Sequence, residues 1–461
     1  MVSAKFRALP LSVLRSFGVN RAIGFGLVTR LWGALAGPIT ILVIATRFTG
    51  VEQGFYYTFS SLLALQVFFE LGLLTVLAQF AAHEFAFLSW GEKGVVMGSE
   101  PHHSRFHDLL GKGVRWYTIS ALLLIMLLIP AGLIFFGQGG GVDFSWRLPW
   151  TLAVIGVGCN LLLIPFYALI TGSGDVAAVN RREMVGGVVG SLLGWLVILC
   201  GGGLYAVPAI TLGTIVVGVV YLFKSKPALV ARAVSAALGR DPAPHPVSWS
   251  AEVWPMQWKI ALSWVAGYFI FQLFTPILFK FHGPVIAGQM GMTLSAVNAV
   301  QGICLMWMQT RSPEFAKLIA TREWERLDQV FRKVLKQALA VWAVGAVAAV
   351  LVVAGLQQYT AIGSRFLSAA QFALFMVAVG GNVLISGWAV YMRAHKREPM
   401  LGISVAGALM VGTSTVSLGI LYSSLGMAAG YCLTTVLFSL PATYVCLKKF
   451  KARFQGNGLS E

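Results

Sequence analysis

Residues 115–137 read RWYTISALLLIMLLIPAGLIFFG, a run whose one charge stands at its first position. A helix rises about 1.5 Å per residue, so this run crosses the ~30 Å hydrocarbon core of a bilayer. No water is available there to bond a bare backbone, which makes a helix the state of such a run. Working outward, eleven further apolar stretches have the same character. With 115–137 they fall near 23–46, 54–82, 147–171, 184–201, 204–223, 257–281, 286–310, 335–356, 366–392, 400–421 and 425–447. The expectation is an all-α polytopic membrane protein of about twelve transmembrane helices.

Composition agrees with that reading. Hydrophobic residues make up 57% of the chain, charged residues 11%, and the mean hydropathy is +0.78, values at which a globular domain does not stay in solution. The net charge of +17 is distributed by side. Of 34 Lys and Arg, only Arg47, Arg147, Lys280 and Arg365 fall in one set of alternate connections, and Arg30 lies inside the first span. All the others fall in the opposite set or at the two ends. Such a bias sets orientation and places both termini in the cytoplasm. Charge spread along one membrane face serves topology and attraction to anionic lipid, and it forms no groove for nucleic acid. Lys5, Arg7, Arg15 and Arg21 interrupt any apolar core ahead of the first span, so a cleavable signal is not expected.

The connection 224–256 reads as a linker, with Pro227, Pro242, Pro244 and Pro246 among Lys224, Lys226, Arg232 and Arg240. Six spans precede it and six follow, giving a first lobe over 1–224, a linker over 225–256, and a second lobe over 257–461 with a short basic tail. The halves echo one another. Thr58, Ser60, Ala64 and Gln66 in span 2 are matched by Thr293, Ser295, Ala299 and Gln301 in span 8, and Phe48–Gly50 by Phe281–Gly283. An even number of spans per half makes the repeats parallel, related by a pseudo-two-fold along the membrane normal, as in transporters that rock two lobes about a central site.

Enzymatic and pump chemistry lack their parts. The outer connections are short, and the inner ones carry neither paired carboxylates, a P-loop nor a Gly-rich nucleotide fingerprint, so no nucleotide is expected. Cys159, Cys200, Cys304, Cys432 and Cys446 lie in apolar stretches without paired spacing and read as small core residues. His102, His103 and His107 lie in the connection 83–114, which reads as a solvated loop, and neither a metal nor another cofactor is expected.

Polar residues at membrane depth are costly and become the site candidates. Arg30 either snorkels to the inner surface or holds a positive charge at the inner mouth of a cavity. Glu70, near the middle of span 2, shares an α-helical face with Tyr56 and Gln66. It either faces a lumen or partners Arg30 or a neighbouring helix. In span 8, Asn298, Gln301 and Gln309 form a second polar stripe with Met308 between them, fit for interhelical hydrogen bonds or for sugar binding. Pro38 and Pro276 fall in the equivalent spans 1 and 7 and are expected to bend them. Gly33 and Gly37, and Gly186, Gly190 and Gly194, have the spacing of close helix contacts.

The stretch Arg30-Leu-Trp-Gly-Ala-Leu-Ala-Gly-Pro38, then Glu52-Gln53-Gly54-Phe55-Tyr56-Tyr57-Thr58-Phe59, Leu65-Gln66 and Glu70-Leu71-Gly72, resembles the opening helices of bacterial Wzx-type polysaccharide flippases. Their superfamily, the MOP exporters, also contains the multidrug MATE exporters. The resemblance covers roughly residues 20–85. It implies a MATE-like bundle of twelve helices in two lobes that moves a polyprenyl-diphosphate-linked oligosaccharide from the inner to the outer leaflet for cell-surface polysaccharide synthesis, alongside other polysaccharide-assembly proteins. A cationic cavity is implied, with Arg30 as the position carried over. Lys280 and Arg365 near the outer end either complete the path or stand on its rim. Two other readings stay open: an H⁺- or Na⁺-coupled drug exporter using Glu70, and a non-transporting scaffold of an assembly complex.

Overall fold

A computed structural model gives the structure of residues 21–137, 143–237, 244–311, 314–315, 318–319, 321–395 and 399–456. Lys5, Arg7, Arg15, Arg240 and Pro242 lie outside the described residues. The chain is almost wholly helical. The first half holds α1 (Arg21–Arg47), α2 (Gly50–Leu63), α3 (Val67–Glu70), α4 (Leu73–Phe85), strands β1 (Leu88–Trp90) and β2 (Val96–Gly98), α5 (His102–Gly137), α6 (Arg147–Leu161), α7 (Ile164–Gly172), α8 (Val176–Leu199) and α9 (Ala206–Ser225). After α10 (Pro227–Ala237) come α11 (Trp254–Phe271), α12 (Phe274–His282), α13 (Pro284–Thr310), α14 (Trp324–Tyr359), α15 (Ala369–Ala394), α16 (Leu401–Leu433) and α17 (Leu440–Gly456).

Twelve spans account for these elements. Spans 1, 3, 5, 6, 8, 9 and 10 are α1, α5, α8, α9, α13, α14 and α15. Span 2 is α2 to α4, bent by 43°, and span 7 is α11 with α12, also bent by 43°. Span 4 is α6 with α7. The 52-residue apolar stretch Leu401–Ala452 is far too long for one crossing and turns back at Ser423, whose φ of 56° breaks the helix. Gly419 and Gly426 on either side approach the opposing arm closely enough that a Cβ on either would overlap Met427 or Leu418. Spans 11 and 12 are therefore a tight hairpin, with the reversal where the sequence places it. The equivalent spans 3 and 9 are each 36 residues long and project beyond the bilayer on the basic face.

Each lobe is held by indole and amide contacts across its helices. In the first, α1 lies along α8, where Trp32 Nε1 donates to Ser191 Oγ at 3.1 Å and Trp195 Nε1 to Thr40 Oγ1 at 2.9 Å. The glycines of α8 meet α9 as their spacing predicts: a Cβ on Gly190 would stand 2.8 Å from the carbonyl oxygen of Ile210. In the second lobe, Trp342 Nε1 donates to the carbonyl of Met376, and Asn382 Nδ2 to the hydroxyl of Tyr431 at 2.7 Å. Gln371 donates to Ser424 Oγ in the same lobe.

Three expectations need correction. Gly33 and Gly37 meet nothing, since a Cβ on either has no atom within 4 Å, and this face of α1 is open. Helix α1 continues through Pro38, and span 7 bends by 43° just ahead of Pro276, as expected of a proline that removes a helix N–H there. The connection 83–114 is no solvated loop. It folds into a β1–β2 hairpin paired from Leu88–Gly98 to Trp90–Val96, followed by the projecting turns of α5. The linker is likewise docked, with α10 packed against α5 so closely that a Cβ on Gly111 would meet Ala236 at 2.9 Å.

Candidate substrate path between the lobes

Span 2 starts on a capping box: Thr49 Oγ1 accepts from the Glu52 amide at 3.2 Å while the Thr49 amide donates to Glu52 Oε2 at 2.8 Å. That fixed start aims Gln53 and Gly54 at span 8. Gln53, 1% exposed, donates through Nε2 to the carbonyls of Gly288 at 2.8 Å and Arg365 at 3.0 Å, both in the second lobe. Gly54 faces the first turn of α13, where a Cβ would overlap the carbonyl of Pro284, and Tyr57 fills the space over Gly291. Arg365 answers from the other lobe, its Nη2 donating to the carbonyl of Phe48 at 2.6 Å. Phe55 and Phe136 close on Phe279 at 4.9 and 5.2 Å between ring centroids. Spans 2 and 8, the pair that carries the sequence echo, thus seal the lobes at the face away from the basic loops.

Lower down, the lobes touch along span 7. Tyr268 donates to the carbonyl of Ser61 at 3.4 Å and its ring lies 5.3 Å from Phe68, while Ile260 presses on Gly72. Gly72 (φ 66°) and Leu71 (φ 49°) are both left-handed and make the bend of span 2. The glycine adopts this freely, whereas the leucine does so at a cost of about 1–2 kcal/mol. At the basic face, Arg105 of α5 joins Glu84 of α4 at 2.9 Å to Glu252, ahead of α11, at 2.5 Å. Asp108 and Lys112 hold Val247 of the connection through its amide and carbonyl. One side of span 7 is therefore tied to the first lobe from mid-depth to the basic face.

The other side differs. Helix α1 packs at its outer end through Ile44, Ala45 and the following Phe48, while its other side is exposed along its length, at Val28, Leu31, Gly33, Leu35, Ile39 and Leu42. On α13, Asn298, Gly302 and Ile303 are exposed, and a Cβ on Gly302 would meet nothing within 4 Å. Joined at their outer ends, α1 and α13 are the candidate walls of a cleft open toward the basic face.

The sequence candidates divide around this cleft. Asn298 is exposed, and Gln301 and Gln66 are half-buried. Met308, expected between the amides, instead packs against α15, where a Cβ on Gly387 would stand 3.1 Å from its methyl. Arg30 and Gln309 lie in helices α1 and α13, and their side chains fall outside the described residues. The shared face of Tyr56, Gln66 and Glu70 does not hold as drawn, because a 3₁₀ turn at Ala64–Gln66 replaces 100° steps by about 120° steps. Tyr56 is 8% exposed and packs edge-on against Phe48 and Tyr57. Glu70 is 6% exposed at the bend, within electrostatic reach of Tyr117 on α5, and makes no hydrogen bond or ion pair among the described residues. Lys280 is exposed at the outer end of α12. Arg365 is a clasp between the lobes, not a free cation on a path. Gln53 and Gly54 were visible as a pair beside the capping residues, but no pattern in one sequence marks them as the seam.

No protein-family model matches the chain, and no curated protein matches it by sequence. Solved structures do match. The inward-facing conformation of a multidrug resistance MATE family transporter of the MOP superfamily is 12% identical, with a TM-score of 0.54, over 91% of this chain and 99% of its own. The lipid II flippase MurJ, in an inward closed conformation, is 12% identical with a TM-score of 0.57 over 92% of this chain and 87% of its own. A mutant of the Vibrio cholerae MATE transporter VcmN reaches 0.58 at 13% identity over 96% and 98%. The chain is a multi-pass membrane protein with the fold of MOP-superfamily transporters.

Proposed function

We propose that this protein moves a polyprenyl-diphosphate-linked oligosaccharide from the inner to the outer leaflet of a bacterial cytoplasmic membrane, by alternating access between its lobes. The observation that carries this reading is the chemistry of the cleft. In spans 1, 2, 7 and 8 the only acid between Glu52 at one face and Glu84 at the other is Glu70, and it is buried. Polar groups offered to a passenger among the described residues include the amides of Gln66, Asn298 and Gln301, and the sequences of α1 and α13 add Arg30 and Gln309. Amides serve sugar hydroxyls, and Arg30 supplies the positive charge that a diphosphate needs in a low dielectric. With the cytoplasm negative, outward movement of each anionic charge gains about 2.3 kcal/mol per 100 mV. The prenyl tail stays in the bilayer while the head crosses.

One observation favours a second reading, a cation-coupled exporter: Glu70 is a buried carboxylate without a partner among the described residues, the kind of group a coupling ion occupies. Transbilayer movement of a fluorescent prenyl-diphosphate oligosaccharide in proteoliposomes, wild type against Arg30→Ala, tests the first reading. Movement that needs the protein and falls in the variant supports it. Absence of movement with several glycans moves the weight to Glu70 and the exporter.

A further inference from the structure

A cavity of about 380 Å³ opens inside the first lobe, away from the interlobe cleft. It lies at the basic ends of α1, α8 and α9, between Phe25, Asp175, Arg181, Tyr221, Ser225 and Lys226, with Ala177 and Ala178 of the first turn of α8 as its floor. None of the helices around the interlobe cleft except α1 contributes to it.

Its chemistry is that of an anion site. Arg181 is exposed and makes no ion pair among the described residues. Lys226 is 8% exposed, stacked 3.6 Å above the ring of Trp90, and its Nζ stands 3.6 Å from Asp175 Oδ2. That spacing is an ion pair with room in it. Burial pulls the Lys226 ammonium below the usual lysine range, and Asp175 offsets this only in part. The hydroxyl of Tyr221 is buried and bonds to nothing among the described residues. Helix α8 lacks a side-chain cap, so its first-turn amides add their partial positive charge to the same space. Two cations, a phenol and the positive end of α8 outweigh the one carboxylate.

The site is also built to keep its shape. Trp90 donates to Ser173 Oγ at 2.9 Å, and Gly94 of the β1–β2 connection (φ 82°) presses on the backbone of Lys226. The hairpin thus pins Lys226 from below. Above the cavity the exposed surface turns apolar within one turn, at Val28 on α1 and Val185 on α8. Basic pockets between helices at the cytoplasmic boundary suit phosphate headgroups with their acyl chains along such a surface.

We propose that this cavity binds a phosphate group at the membrane's basic face, with Arg181, Lys226 and Tyr221 as its contacts. The ligand source is either an anionic bilayer phospholipid or a phosphate-bearing solute. Native mass spectrometry on the full-length detergent-solubilised protein distinguishes them, using phosphatidylglycerol, phosphatidylcholine and inorganic pyrophosphate as probes. The lipid source predicts at least tenfold preference for phosphatidylglycerol over phosphatidylcholine, lost in Arg181→Gln and reduced in Tyr221→Phe. Arg181 is exposed and Tyr221→Phe keeps the ring, so both variants should fold, which circular dichroism checks. Pyrophosphate retention that Arg181→Gln abolishes, without a lipid preference, assigns the site to a solute. Equal binding of all probes by wild type and Arg181→Gln overturns the proposal.

Discussion

A single methyl at Gly54 should unlatch the outer seam. In Gly54→Ala the new Cβ overlaps the carbonyl of Pro284, a backbone atom in the first turn of α13 that cannot swing aside as a side chain would. Overpacking of this kind costs about 1–3 kcal/mol, and the cost falls only on the state in which the lobes touch. Separation there also strains the two Gln53 bonds, each contributing roughly 0.5–1.5 kcal/mol. Better helix propensity of alanine, at most about 1 kcal/mol, acts equally in both states. At 1.4 kcal/mol per tenfold, the seam-open population should rise about 5- to 100-fold. In a background without the five native cysteines, Ala287→Cys places a thiol at a fully buried position on the same face of α13. An impermeant maleimide from the outer side should label it at least fivefold faster in Gly54→Ala. Gly37→Ala, whose Cβ meets nothing within 4 Å, should leave the rate alone. Unchanged labelling in a folded Gly54→Ala protein would refute the seam.

Other expectations follow from the same contacts. Arg105→Gln leaves the buried Glu84 with His102 as its remaining close partner, at a cost of about 1.5–3 kcal/mol, and should lower the thermal midpoint more than Arg326→Gln, whose pair with Glu323 is exposed. Arg365→Ala removes the bond to Phe48 and should speed maleimide labelling in the same Ala287→Cys background, whereas Lys280→Ala should not. Asn298→Ala combined with Gln301→Ala should slow glycan movement about 30-fold, from roughly 1 kcal/mol per amide contact, with the amount of protein in the membrane unchanged. Glu70→Gln should preserve movement of the lipid-linked glycan; its loss would favour ion coupling through that carboxylate.

The span count was legible because burial in lipid leaves a one-dimensional trace: an apolar run of about twenty residues is readable wherever it lies. The hairpin of spans 11 and 12 was readable for the same reason, and the spacing of Gly186, Gly190 and Gly194 announced a close contact without naming α9. Gly33 and Gly37 show where the trace ends, since small residues permit contact without naming a partner, and here they border open space. The β1–β2 hairpin went unseen because Leu88–Trp90 and Val96–Gly98 are strands of three residues, too short for an alternating pattern to show. Glu70 was found as costly, but its direction depended on a 3₁₀ turn and two left-handed residues that no helical wheel includes. Gln53, Gly54 and Arg365 meet across more than 200 residues of chain, and only the folded lobes bring them together.

The central claim is most directly tested by one vesicle experiment in which a fluorescent prenyl-diphosphate oligosaccharide and a lipophilic cationic dye compete for the same reconstituted protein. The account predicts protein-dependent movement of the glycan lipid and none of the dye. Movement of the dye, driven by a proton or sodium gradient and lost in Glu70→Gln while the glycan lipid stays put, would contradict it.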